Sequence, residues 1–346
     1  MTMRLTNLIF RYNIIILLLV LVVISAIISP YFFTWFNILK LLQTASYVAF
    51  VALGMLFVIL TGEIDLSVGA IFAFSGVFLT TLTHGNWFTY MPEFLHPYVP
   101  TFEFTPVLPI QWIILLTLLV GVLFGMVNGV LVARFGVASF VGSLGVMTVA
   151  RGLALTYTGG APIYGQAKLV EYLGNGKFLG IPMPVWLVAI TAIFLHVFLT
   201  KTRTGKAIIA VGSDFEASRL SGINVKKVKL LVFMLAGFLA AFGGILMCGR
   251  LVTADPRVAN GWELDAIAAV VIGGARLSGG KGNVAGTLAG VLVLQLINNI
   301  LNLTGVNVHF QPIIKGAIVI VAMVGSRILE DKLTEPMAVE SSDIFK

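Results

Sequence analysis

The sequence predicts an all-α, polytopic membrane protein with about ten transmembrane helices and both termini in the cytoplasm. Apolar residues make up 58% of the 346 residues and charged residues only 11%, whereas soluble domains contain about 25% charged residues. Apolar runs long enough to cross about 30 Å of hydrocarbon recur along the chain. Lysine and arginine are concentrated in alternate connecting segments, which indicates how the spans are oriented.

The candidate spans are runs of roughly 17–25 apolar residues. The first follows Arg4 and Arg11 and has no small-residue cleavage site, so we expect an uncleaved span rather than a signal peptide. The eighth is short and rich in glycine, and a segment that only dips into the membrane is the alternative, which would leave nine spans. The ten candidates are residues 12–30, 44–61, 67–83, 111–133, 138–157, 183–200, 228–248, 264–278, 283–303 and 310–328.

Positive charge orients these spans. With a cytoplasmic N-terminus, 15 of the 22 lysines and arginines lie in inner segments and five in outer segments. This bias follows the positive-inside rule and fits an even number of spans. It also explains the net charge of +7 without a nucleic-acid partner. The longest inner segment, residues 201–229, holds seven of these cations.

The chain is interpreted as one transmembrane domain over residues 1–346. Residues 84–110 are rich in aromatic residues and proline and are predicted to form a periplasmic insertion along the outer membrane interface. Residues 158–182 form a second outer loop. Four scattered histidines and the single Cys248 lack ligand spacing, so we expect no metal site and no disulfide.

The inner segment 201–229 contains a short capped helix. In SDFEASRLSGI, Ser213 or Asp214 can accept hydrogen bonds from the first free amides, and Glu216 complements the positive helix end. Gly222 can end the helix in a left-handed turn. A solvated interfacial helix and a docking site for another protein fit this pattern equally well.

Several motifs resemble one family of transport proteins. AVGSDFEASRLSGINVKKVK (210–229) resembles the cytoplasmic segment of ribose-type monosaccharide permeases, and its E-A-x-x-x-x-G order resembles the coupling motif of ATP-binding-cassette importer permeases. TGEIDLSVGA (61–70) resembles the family's inner hairpin, although Glu63 stands where glycine is usual. Two further segments also resemble this branched-chain amino acid and sugar permease superfamily, namely ELDAIAAVVIGGARLSGGKGNVAGTLAG (263–290) and LINNILNLTGV (296–306).

The resemblance implies a non-enzymatic translocation subunit in the bacterial inner membrane. Two permease subunits, identical or paralogous, would form the pathway, and ATPase subunits holding ATP and Mg would dock on the coupling segment. A periplasmic binding protein would deliver a monosaccharide, with ribose the first expectation. This chain would bind no cofactor. The residues implied in ATPase coupling are Asp214, Glu216, Ala217, Arg219, Ser221 and Gly222, and those of the inner hairpin or gate are Gly62, Asp65, Ser67 and Gly69.

Polar side chains within spans are candidates for the pathway of a neutral sugar. The candidates are Asn128 in the fourth span and Gln295, Asn298, Asn299 and Asn302 on one face of the ninth. Hydrogen bonding across helices is an equally good interpretation for these amides. We expect Asp65 to cap the helix that begins at Ser67, and we expect Arg151 to extend toward the outer interface rather than contact sugar.

Other functions remain open. A branched-chain amino acid permease of the same superfamily would favour a charged site or a helix terminus for its zwitterionic cargo. An ATPase-independent secondary transporter or channel would need an ion-relay carboxylate deep in a span, and the sequence predicts none there. The glycine-rich GGARLSGGKGN is not a phosphate-binding loop, because Gly282 follows Lys281 in place of serine or threonine.

Overall fold

The computed structural model describes residues 13–84 and 108–307, together with single positions between 309 and 320. Most of the insertion 84–110, most of the tenth predicted span and both chain ends lie outside the described residues. The chain divides into a unit of residues 34–292 and a unit of residues 1–33 and 293–346.

Helices dominate both units. The helices are α1 (Asn13–Ile28), α2 (Trp35–Leu60), α3 (Val68–His84), α4 (Ile110–Ala133), α5 (Ser139–Thr158), α6 (Lys168–Asn175), α7 (Met183–Lys201), α8 (Arg203–Ser213), α9 (Phe215–Leu220), α10 (Val225–Leu251), α11 (Trp262–Ile272) and α12 (Val284–Leu303). Four two-residue strands are β1 (Ile163–Tyr164), β2 (Lys177–Phe178), β3 (Ile181–Pro182) and β4 (Thr253–Ala254); β1 pairs antiparallel with β4, and β2 with β3.

Six helices in the described part of the chain are long and apolar enough to cross a membrane, namely α2, α4, α5, α7, α10 and α12. The shorter apolar helices α1 and α3 correspond to the first and third predicted spans. The prediction of a helical, polytopic membrane protein is confirmed. The count of ten spans and the side of each terminus remain predictions.

The eighth predicted span, residues 264–278, is shorter than expected. Helix α11 has only 11 residues, which is about 16 Å of helix and half of a bilayer core. Gly273 ends it, and the chain to the start of α12 is not helical. The alternative of a segment that enters the membrane without crossing it as a helix is therefore the one that the structure favours.

Glycines bring the central helices of the larger unit into backbone contact. A Cβ atom on Gly237 of α10 would lie 2.1 Å from the Gly121 carbonyl oxygen of α4, and one on Gly244 would lie 2.1 Å from the Phe72 carbonyl oxygen of α3. Small residues permit such contact where no hydrophobic effect drives helices together in lipid. Helix α2 is buried along most of its length, with Phe50 and Phe57 fully enclosed.

The second predicted outer loop, 158–182, is a structured element. The Tyr47 hydroxyl of α2 donates to the Gly174 carbonyl oxygen of α6 over 2.6 Å. A Cβ atom on Gly249 of α10 would lie 1.9 Å from the Val170 carbonyl oxygen. Helix α6 therefore packs between α2 and α10.

Candidate functional site

The segment 201–229 forms two consecutive helices, α8 and α9, which share one capping residue. Asp214 ends α8 and begins α9, and its Oδ1 atom accepts a hydrogen bond from the Ala217 amide over 2.9 Å. Gly222 follows α9 with φ +83°, and the Ile223 amide donates to the Ser218 carbonyl oxygen over 3.1 Å. The structure thus places the cap at Asp214 rather than Ser213.

Helix α9 presents nearly all of its side chains to solvent. Glu216 and Arg219 pair with each other over 2.9 Å, and both side chains are more than half exposed. Leu220 is 79% exposed, although it is apolar, and Ser218 is the buried residue of the helix. Ala217, Ser221 and Gly222 are also exposed. This surface is available to another protein.

Three segments meet backbone to backbone at the end of α8, at Leu60, Gly212 and Gly280. We call this contact the cytoplasmic junction, after the side of the membrane on which the sequence predicts it. The Gly280 amide donates to the Leu60 carbonyl oxygen over 3.0 Å. A Cβ atom on Gly212 would lie 1.8 Å from that oxygen and 2.6 Å from the Gly280 nitrogen. The junction therefore accepts only glycine at position 212 without a shift of backbone.

An ion pair joins the hairpin 61–67 to the start of α10. The ammonium group of Lys229 pairs with the carboxylate of Glu63, and both side chains are less than one-fifth exposed. The same ammonium group lies 5.4 Å from the ring centroid of Phe215 in α9, within the range of a cation–π contact. Lys229 therefore touches the hairpin and the exposed helix at once. In the sequence, Glu63 stands out only as a departure from the family pattern.

A buried polar cluster fixes the start of α3. Asp65 Oδ1 accepts hydrogen bonds from the Ser67 amide over 2.8 Å, from the Ser67 hydroxyl over 2.6 Å and from Asn128 Nδ2 over 3.2 Å. Asn128 also donates to the Ser67 hydroxyl oxygen over 2.8 Å. All three residues are almost fully buried. For Asn128, this geometry favours hydrogen bonding between elements over a position facing the pathway.

Two serines that the sequence analysis missed hold the rest of the hairpin. The Ile64 amide donates to Ser139 Oγ over 3.1 Å, and the Leu66 amide donates to Ser143 Oγ over 3.0 Å. These serines are four residues apart and share one face at the start of α5. This four-residue spacing is visible in the sequence and indicates a shared helix face, but it does not identify which amides the two hydroxyls bind.

The amides of the ninth predicted span lie on one helix, α12. Gln295 is buried, Asn298 and Asn299 are partly buried, and Asn302 is exposed. Asn302 Oδ1 accepts a hydrogen bond from Gln311 Nε2 over 3.0 Å. Their common face is thus a structural fact, whereas their role in a pathway remains a prediction.

Arg151 binds the backbone of a neighbouring loop, and its extension toward the outer interface stays a prediction. Its Nη1 atom donates to the carbonyl oxygens of Pro256 and Val258, over 2.6 and 3.0 Å, in the loop that leads into α11. Glu263, the second residue of α11, lies next to Gly69, where a Cβ atom would lie 2.5 Å from Glu263 Oε2. Because Gly69 is the second residue of α3, this carboxylate lies beside the first turn of that helix. Because Glu263 lies in the first turn of α11, this contact does not contradict the expectation that acidic side chains are absent from the middle of the spans.

No group of His, Cys, Asp or Glu side chains within the described ranges could hold a metal ion. The remaining hairpin residue, Gly62, has φ +78°, and a Cβ atom there would lie 3.3 Å from the Ser278 carbonyl oxygen. The hairpin therefore contacts the 278–282 loop next to the cytoplasmic junction.

A bundle of apolar helices that carries a capped, exposed helix against its own connecting loops defines a multi-pass membrane protein. The chain belongs to the family described as branched-chain amino acid transport system / permease component, whose sequence profile matches residues 37–323. The resemblance to importer permeases drawn from the motifs is confirmed.

Individual relatives extend this similarity over almost the whole chain. The ribose import permease RbsC of Haemophilus influenzae is 39% identical over 319 residues, which is 91% of this chain and 92% of the relative. The ribose import permease RbsC of Bacillus subtilis is 40% identical over 312 residues, 90% of each protein. The L-arabinose ABC transporter permease AraH of Azospirillum brasilense is 35% identical over 318 residues, 92% of this chain and 87% of the relative. No solved structure matches the chain.

Proposed function

We propose that this chain is the translocation subunit of an ATP-binding-cassette importer that moves a ribose-like pentose across the bacterial inner membrane. The relatives named above are permeases for ribose or L-arabinose, with 35–40% identity over about nine-tenths of the chain. This supports sugar over branched-chain amino acids, although the family description names the latter. Similarity of this extent along the full chain carries the proposal.

The exposed helix α9 is the proposed docking site for the ATPase subunit. Its exposed face combines an ion pair with the uncovered Leu220 and Phe215, a mixture suited to a protein surface. Force applied to α9 would reach the spans by two routes. One is the cytoplasmic junction at Gly212, and the other is the contact of Phe215 with Lys229 and its ion pair to Glu63.

The remaining parts of the importer follow from this assignment. ATP and Mg would be held by the ATPase subunits, and this chain would hydrolyse nothing and bind no cofactor. A second permease subunit would complete the pathway, and a periplasmic binding protein would deliver the sugar to the outer face. Ten spans with both termini in the cytoplasm would place α9 on the ATPase side, and the amide face of α12 would contribute to the pathway.

Reconstitution tests the proposal. The permease, its ATPase subunit and a ribose-binding protein are incorporated into proteoliposomes, and uptake of labelled ribose, arabinose and leucine is compared. We expect pentose uptake that requires both ATP and the binding protein. Uptake of leucine alone would contradict the sugar assignment.

Omission of the ATPase subunit is the control for the driving force. Glu263 is a carboxylate of the kind that secondary transporters use, so the control is repeated with an imposed proton gradient. Ribose uptake driven by the gradient in the absence of ATPase would contradict an importer powered by ATP.

A further inference from the structure

Helix α11 begins near the middle of the bundle rather than at its edge. A Cβ atom on Gly273 would lie 2.4 Å from the Gly286 carbonyl oxygen, and one on Gly290 would lie 1.9 Å from the Ala269 carbonyl oxygen. The last turn of α11 is therefore level with the first turn of α12. Since 11 residues extend about 16 Å, the first turn of α11 lies about half a bilayer core away from that level.

A cavity of about 360 Å³ lies beside this helix start. One side is lined by α5, with the polar Thr148 and Arg151 next to Gly152 and the apolar Met147 and Leu155, and the other side is lined by Asn260 and Glu263. Thr148 is the tenth of the 20 residues of α5. The position of the cavity along α5 therefore agrees with the length of α11 in placing it halfway through the bilayer core. Broken helices that begin at the midplane are where many transporters bind their substrates.

The lining suits a neutral molecule with several hydroxyl groups. It offers a carboxylate and an amide oxygen as acceptors, and a guanidinium and an amide as donors. The Thr148 hydroxyl donates to the Leu144 carbonyl oxygen over 2.9 Å, so its oxygen is a further acceptor. The opposite charges of Arg151 and Glu263 balance, so no net charge selects an ionic ligand. The volume is at the lower end of the range for small-molecule pockets, which fits a single small sugar.

Lipid cannot be the natural neighbour of this surface. Thr148 and Asn260 are exposed on the single chain, and Glu263 is partly exposed at the same depth. Polar and ionisable groups at mid-depth face a bundle interior or a water-filled cavity, because hydrocarbon leaves them without partners. The surface therefore faces protein or water rather than lipid.

We propose that the cavity between α5 and the first turn of α11 is a sugar-binding site of the transport pathway. Thr148, Asn260 and Glu263 hydrogen-bond the sugar hydroxyls. Arg151 acts as a positioning residue, because its bonds to Pro256 and Val258 hold the loop that carries Asn260. This assignment rests on the proposed function and adds a site separate from the amide face of α12.

The first test compares sugar movement with ATP hydrolysis in the same proteoliposomes. Thr148→Val and Glu263→Gln each remove sugar hydrogen bonds, and Gly152→Phe fills the cavity from a position where a Cβ atom has no heavy atom within 4 Å. We expect each variant to move about tenfold less ribose per ATP hydrolysed. Hydrolysis stimulated by the binding protein should stay within about twofold of wild type, whereas a folding defect would lower both rates.

A matched control is Val149→Phe, which enlarges a neighbouring side chain that is 58% exposed and does not line the cavity. It should leave the ratio of ribose to ATP unchanged. Unchanged ratios for Thr148→Val, Glu263→Gln and Gly152→Phe, with normal ribose uptake by wild type, would overturn the binding site alone. Absence of any ribose uptake by wild type would instead overturn the proposed function and this site together.

Thiol labelling gives a readout that does not depend on transport. The native Cys248 is buried, so Thr148→Cys provides one accessible thiol. We expect saturating ribose, with the binding protein and ATPase present, to slow labelling of position 148 by at least about fivefold. Labelling of Val149→Cys should not change. Equal labelling of Thr148→Cys with and without ribose would overturn the site.

Discussion

Replacement of Gly212 by alanine tests whether the cytoplasmic junction couples α8 to the spans. The new Cβ atom would lie 1.8 Å from the Leu60 carbonyl oxygen, and ordinary contacts begin at 3.4 Å. The end of α8 must therefore move by about 1.6 Å relative to α2. Overpacking of this kind costs about 1–3 kcal/mol, and a disturbed Gly280–Leu60 hydrogen bond adds about 1 kcal/mol.

A cost of about 2–4 kcal/mol changes an equilibrium by a factor of about 30 to 1,000. We expect Gly212→Ala to insert into the membrane and still bind the ATPase subunit through α9. ATP-dependent ribose uptake in proteoliposomes should fall at least about tenfold, while ATP hydrolysis loses its response to the binding protein.

The control for Gly212→Ala is Gly145→Ala in α5, where a Cβ atom would have no heavy atom within 4 Å. It makes the same chemical change in a helix without a clash, so uptake should be unaffected. Wild-type uptake and regulation in Gly212→Ala would refute the view that this backbone contact transmits the motion.

Three further changes test the contacts around the junction. Glu63→Gln should lower the free energy of unfolding by about 1–3 kcal/mol, because the Glu63–Lys229 ion pair is largely buried. The exchange of charges in Glu63→Lys with Lys229→Glu should recover part of this loss. No recovery would argue against the ion pair. Asn128→Leu removes one of the hydrogen-bond donors to the buried Asp65 carboxylate and should destabilise the detergent-solubilised protein by at least about 2 kcal/mol. An unchanged melting temperature would contradict the role of the buried cluster. Asp214→Ala should destabilise α9 by about 1 kcal/mol and weaken co-purification of the ATPase subunit, because it removes the helix cap. Asp214→Asn retains the cap and should bind the ATPase subunit normally. Equal binding of the ATPase subunit by both variants would show that docking does not depend on the cap.

The sequence was most informative where the signal is local. Apolar runs identified the long helices because a span must bury its own backbone hydrogen bonds in lipid. The helix cap and the left-handed turn at Gly222 depend on neighbouring amides only, so residue types at fixed spacing predicted the turn and narrowed the cap to Ser213 or Asp214. The family followed from the order of several motifs, which the comparison with known permeases confirmed.

Local patterns were less informative about helix ends and buried polar groups. The second predicted span begins at Trp35 rather than residue 44, and the eighth ends at Ile272 rather than residue 278. Hydropathy does not register a helix that stops inside the bundle, because residues 273–278, which follow this helix, contain only one charged side chain.

The sequence by itself determined that this protein is a bundle of membrane helices with a capped helix outside it. Only the tertiary structure decided that Lys229 pairs with Glu63, that Arg151 holds the loop before α11, and that Gly212 meets Leu60. Each of these contacts joins residues from separate elements. Their geometry depends on how deeply each helix sits and how closely glycines let the backbones approach, which no periodicity along one segment records.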